Sequence, residues 1–158
     1  MAAGLSDFFK YNLWANLRLL DQCVQLSDVQ LDATLNGVFG NIRATVMHLI
    51  GSEAGYVRAL TGSFPLPQLD YQADFPGFED LRRRATLSGE MLITVAAQND
   101  HDRILRLDNG TYDVPAMNVL IQVINHGIDH RSQIATLLSH QGITPVDLDG
   151  WSYNDALK

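Results

Sequence analysis

The chain has a single cysteine among its 158 residues, so no disulfide can close within it, and a reducing cytosol is the compartment this fits. Cys23 sits among apolar residues and reads as a small core residue rather than a nucleophile. No apolar run approaches the ~20 residues of a membrane span. Asp7 and Lys10 interrupt the apolar start that a signal peptide would need. The expectation is therefore a cytoplasmic protein with no membrane partner. Positive charge is also scarce: 11 Lys and Arg stand against 18 Asp and Glu, for a formal net charge of −7. Only Arg82-Arg83-Arg84 clusters, and it reads as the solvated side of a helix, so nucleic-acid binding lacks its electrostatic footprint.

What is present is apolar material in helical rhythm. Hydrophobic residues make up 46% of the chain and charged residues 18%, the balance of a folded, soluble protein. The length suits one domain over residues 1–158, large enough for a core without staples. A first helix is predicted from Leu5 to Leu26, capped by Ser6 or Asp7, with Leu13, Leu17, Leu20 and Val24 as its core stripe. Asn12 and Asn16 form an i,i+4 pair on it. Such a pair is expected to face solvent, the alternative being the lining of a pocket with buried partners.

Ser27 to Gly40 is a connector with room for a helical turn at Asp28 to Asp32. The second helix runs from Asn41 to Leu60, stopped by Thr61-Gly62. His48 lies off its apolar face, on a stripe of small residues that includes Ala44, Gly51, Ser52 and Gly55. Glycine costs about 1 kcal/mol in a helix interior. The stripe serves either close helix packing or space for a ligand above the imidazole.

Ser63 to Gly77 is too long for a tight bundle turn. It reads as a crossover spanning the bundle, which leaves the second and third helices parallel. The third helix runs from Phe78 to about Asn99. Asp108-Asn109-Gly110 between β-forming residues predicts a small hairpin, and Pro115 suits the first position of a fourth helix that Gly142 ends. The fold class is all-α, a four-helix bundle with a long crossover between helices two and three and a hairpin before helix four.

The fourth helix carries the chemistry. His126 and His130 are one turn apart, so their rings leave the same face about 40° from each other. Asp129, Gln122 and Gln133 lie near that direction, and Leu120, Ile124, Ile128, Ala135 and Leu138 form an apolar wall beside it. Spacing alone allows two metal ligands or two histidines at a polar edge. Gly127 occupies the place where an HExxH metalloprotease keeps its general base, so that class is disfavoured. His101 and His140 belong to a loop and a helix end, and Glu53 points about 140° away from His48.

Three stretches, YNLWANLRLL, NIRATVMHLIGSEAGYVRAL and INHGIDHRSQIATLLSHQGITP, together make the chain similar to the DinB-like family of four-helix-bundle proteins. The resemblance extends from Phe8 to Trp151. It implies a divalent ion held by one histidine of the second helix and two of the fourth, at positions matching His48, His126 and His130. Tyr11, Trp14, Asn16 and Arg131 match recurrent positions of structural character. The resemblance further implies a metal-dependent enzyme acting on a small-molecule substrate, with thiol-dependent transferases and isomerases that use low-molecular-weight thiols among the relatives. Other relatives are damage-inducible proteins without an assigned activity, and homodimers are common.

Three imidazoles leave coordination positions open, the arrangement of a catalytic rather than a structural site. Zinc or nickel is the expected ion, with iron and manganese compatible. It could activate water for hydrolysis or hold a thiol as thiolate for transfer. Asp129 is expected to accept an imidazole N–H or a water proton beside it. The alternative is a stress-related bundle that binds metal or ligand without turnover.

Overall fold

A computed structural model describes residues 4–158. In chain order the elements are α1 (Leu5–Cys23), α2 (Asp28–Asp32), α3 (Ile42–Thr61), α4 (Phe78–Ala96), β1 (Ile104–Leu107), β2 (Tyr112–Pro115), α5 (Ala116–His140) and α6 (Gly150–Ala156). The four long helices form the expected all-α bundle, and β1 and β2 pair as an antiparallel hairpin with Leu107 opposite Tyr112. Asp108 and Asn109 turn it with φ of 50° and 56°, a region these two residues tolerate better than most.

Around the bundle, α1 packs on α4 and α5, and α3 packs on the same two. The long helices α1 and α3, which follow one another but for the short α2, therefore sit diagonally opposite. Two apolar clusters fill the bundle, one containing Leu20, Ile42, Leu81 and Leu137, the other Phe9, Val57, Leu92 and Val119. Passing from the first cluster to the second, residue numbers rise along α3 and α4 and fall along α1 and α5. The crossover thus leaves α3 and α4 parallel, as its length implied.

Between the clusters lies a polar layer drawn from all four helices. Glu53 of α3 is 2% exposed. Its Oε2 accepts from the side-chain amides of Asn12 and Asn16 of α1 at 2.8 and 3.0 Å, and its Oε1 accepts from Ser88 Oγ of α4 at 2.5 Å. The amide oxygens of both asparagines accept in turn from Arg131 Nη1 of α5, at 2.8 and 2.6 Å. A carboxylate and a guanidinium so far from water are costly unless most of their lone pairs and protons are occupied.

This layer overturns the solvent-facing expectation for Asn12 and Asn16, both fully buried. The same demand for partners shifts the core stripes around them. On α1 the buried positions are Phe9, Ala15, Leu19, Leu20 and Cys23, while Val24 is exposed; on α5 Ile128 is exposed and Val123, Ile134 and Leu137 are buried. Arg84 is also buried, against the reading of its triplet as solvated. It donates to Asp80 at 2.5 Å and to the carbonyl of Pro67 at 2.7 Å, pinning the crossover to α4.

Helix ends differ as well. Gly4 is the N-cap of α1, and the Asp7 carboxylate reaches back to its N–H at 2.9 Å, so Ser6 and Asp7 lie inside the helix. The first helix stops at Cys23, short of Leu26, and the third at Ala96, short of Asn99. Pro115 closes β2 and caps α5 rather than starting it. The short α6 was not anticipated. Asp149 caps it by accepting from the Ser152 N–H, and Tyr153 packs on Tyr11 and Trp14 at centroid distances of 5.6 and 5.2 Å.

Replacing Arg131 by Met would leave Glu53 buried without its counter-charge and should cost about 3–5 kcal/mol. Urea denaturation should detect it as a large fall in the midpoint. The double variant Glu53→Met/Arg131→Met should recover a substantial part of the loss; equal stability of wild type and Arg131→Met would show that the layer holds nothing together.

Candidate metal centre

His48 comes from the middle of α3, and His126 and His130 from successive turns of α5. These helices pack side by side, and the three rings meet with centroid separations of 4.4 to 4.9 Å. One ring nitrogen from each can be chosen so that all lie within 4.8 Å of one another. Nε2 of His126 and Nε2 of His48 are 3.0 Å apart, a contact that requires one to donate and the other to accept. The Nδ1 of His130 is buried without a partner, which is costly in a folded chain.

Burial, followed by the neighbouring imidazoles, pushes the His126 pKa down to about 4 and lowers that of His48. Both are thus neutral near pH 7, with lone pairs available. A tetrahedral zinc ion with nitrogen ligands at about 2.0–2.1 Å would need them roughly 3.4 Å apart. The three histidines fit such an ion in donor type, and all three nitrogens lie within 4.8 Å of one another, one pair at 3.0 Å.

Aromatic side chains surround the cluster. Phe39, from the loop after α2, stacks on His48 at 4.2 Å with planes 19° apart and meets His130 edge-on at 5.2 Å. Tyr56 of α3 meets His126 edge-on at 5.6 Å, and Tyr71 of the crossover lies 6.4 Å from His48. A cavity of about 520 Å³ opens beside His48, lined by Phe39, Met47 and Tyr71 among others.

The small-residue stripe now has a reason at one position. A methyl group at Gly51 would collide with the Tyr71 hydroxyl, so this glycine seats a residue of the crossover and not another helix. Gly55 has open space above it. Gly127, in the slot of an HExxH base, faces α1: a Cβ there would lie 2.7 Å from Asn12 Oδ1 and 2.8 Å from Arg131 Nη1. Its missing side chain lets the polar layer form directly behind His126.

Asp129 is exposed, and its carboxylate accepts from Gln133 Nε2 at 3.1 Å rather than from an imidazole. Gln133 Oε1 accepts the Phe39 N–H at 2.9 Å, so Asp129 reaches the cluster through the loop that carries Phe39. Gln122 donates to Tyr56 Oη at 3.4 Å. Phe39, Tyr56 and Tyr71 escaped the sequence reading because two lie in loops, where helical spacing says nothing. Gly51, unexplained within its helix, was the available signal.

The DinB family model matches residues 1–157. Protein DinB of Bacillus subtilis (strain 168) is 23% identical over 159 residues, covering 92% of each chain. The crystal structure of a DinB-like protein from Bacillus cereus ATCC 10987 superposes with a TM-score of 0.67 at 20% identity, covering 93% of this chain and 99% of that one.

Behind the imidazoles, burial raises the Glu53 pKa above its ordinary 4.5, against the opposing pull of Ser88, Asn12 and Arg131. From about 4.5 up to that raised value the native state keeps a proton the unfolded chain has released, so this group's contribution to stability falls as pH rises. Glu53→Gln should remove that component. Urea unfolding between pH 4.5 and 8 should give a wild-type advantage over the variant that shrinks with pH; parallel curves would contradict the shift.

Proposed function

The chain belongs to the DinB family, and on that premise we propose that it is a divalent-metal-dependent enzyme whose ion is held by His48, His126 and His130. The observation that carries this reading is the meeting of three imidazole nitrogens from two helices within 4.8 Å beside an open cavity. An all-imidazole set suits zinc or nickel first, and iron or manganese next. With three protein ligands, positions remain for a substrate or water. A bound divalent ion would supply Lewis acidity, lowering the pKa of a water or thiol ligand.

The reaction class that fits is transfer to or from a low-molecular-weight thiol, or hydrolysis, on a small-molecule substrate. The chain's own residues have defined tasks in either. Phe39 stacks on one face of His48 and fixes the plane of its ring. Tyr56 packs against His126 and fixes the ring's tilt. Asp129 acts through Gln133, which holds the Phe39 loop by its backbone N–H. Glu53 is engaged in the polar layer, so it is the structural partner of Arg131 and not a base for this site.

Elemental analysis of protein purified without a histidine tag should find about one divalent ion per chain, lost in His126→Ala. The thermal midpoint of wild type should fall on chelation, because metal binding is linked to folding. Equal metal content in the two proteins would remove the site. Metal retention with no turnover across a panel of thiols and electrophiles would favour the second reading, a non-catalytic metal- or ligand-binding bundle.

A homodimer is part of the same proposal. A groove of about 810 Å³ lined by Phe8, Tyr11, Ile124, Ile128 and Tyr153 runs between α1, α5 and α6, and Phe8 and Ile128 are exposed beside it. A second copy covering this apolar surface would bury what the fold leaves wet. Sedimentation velocity should give a dimer that Ile128→Glu converts to monomer; a monomeric wild type at high concentration would end this part of the proposal.

A further inference from the structure

We propose that the cavity beside His48 is shaped for a substrate bearing a flat, uncharged apolar group, such as an aromatic ring, next to the atom that approaches the three histidines. The inference rests on the metal-site reading above and adds the substrate class.

Two aromatic residues from separate loops converge there, and each is held in place by a specific device. The Phe39 backbone N–H is tied to Gln133, and Gln133 to Asp129. Gly51 leaves room for the Tyr71 hydroxyl, with which a Cβ there would collide. Phe39 is nonetheless 52% exposed, a large apolar surface facing the space that a ligand would occupy. Met47 and Ala44 complete the apolar lining. A volume of about 520 Å³ admits a substituted ring and excludes a large cofactor.

Charge points the same way. Arg43 also lines the cavity, but its guanidinium is paired with both Asp28 and Asp32 and lies 5.3 Å from the Phe75 ring centroid. It is not available to recognise an anionic group. Asn41, the other polar residue of the lining besides His48, has its Oδ1 engaged by the Ala44 N–H as the cap of α3. Recognition of an apolar group falls to the rings, and offset or edge contacts between aromatic groups contribute about 0.5–1.5 kcal/mol each beyond burial.

The test uses zinc-loaded full-length protein and two hydroxamates, chelators that share one metal-binding group and differ in what it carries. By titration calorimetry benzohydroxamate should bind about 3- to 10-fold more tightly than acetohydroxamate. Phe39→Ala should abolish that preference while the zinc content stays unchanged, and Gly51→Ala, which evicts the Tyr71 hydroxyl, should weaken it. Equal binding of the two probes by wild type, or a preference unaltered in both variants, would overturn the substrate class and leave the metal site standing. A wild type that retains no zinc would instead overturn the metal-site reading, and this inference with it.

Discussion

A carboxylate and a guanidinium buried between two apolar clusters constrain everything else in this bundle. Glu53 and Arg131 do not touch directly; they are joined by Asn12 and Asn16, whose amides donate to one and accept from the other. The asparagines come from α1, diagonally across from α3, so the contact runs through the centre of the bundle. Burying either charge alone would cost several kcal/mol, whereas the connected set satisfies nearly every polar atom. One Arg131 nitrogen, Nη2, remains without a partner. Sliding any helix by a residue would break the set, so the layer selects one register out of those that apolar packing would tolerate.

That register is what brings the histidines together. Arg131 follows His130 directly, Gly127 follows His126, and Glu53 lies little more than a turn beyond His48. Fixing Arg131 against α1 therefore fixes the azimuth of α5, and fixing Glu53 does the same for α3. The two histidine-bearing faces are left opposed at the edge where these helices meet. A centre made of side chains from only two helices thus depends on residues from all four.

Much of this was legible in the chain. Helical rhythm revealed the four helices, the length of the crossover implied the parallel pair, and Asp108-Asn109-Gly110 announced the hairpin. The family-like words in the second and fourth helices singled out His48, His126 and His130, and the structure brings those three together. Periodicity failed where polar residues serve the interior. Asn12, Asn16 and Arg84 read as surface because their type usually is, and only tertiary partners reveal otherwise. Glu53 was set aside for pointing away from His48, which is correct; it points into the core instead. Phe39 and Tyr71 act from loops, where no repeating pattern records which way a side chain turns.

The diagonal placement of α1 and α3 has a consequence for how the molecule comes into being. Of the consecutive long helices only α3 and α4 pack extensively on each other, and they run parallel across the crossover, so early helical hairpins offer little tertiary reward. The two halves of the histidine cluster are 78 positions apart, and the second half lies in the last long helix. During synthesis the histidine cluster cannot assemble until α5 has left the ribosome. Until then Glu53 can meet Asn12, Asn16 and Ser88 but lacks its counter-charge Arg131, and His48 lacks both of its partner imidazoles.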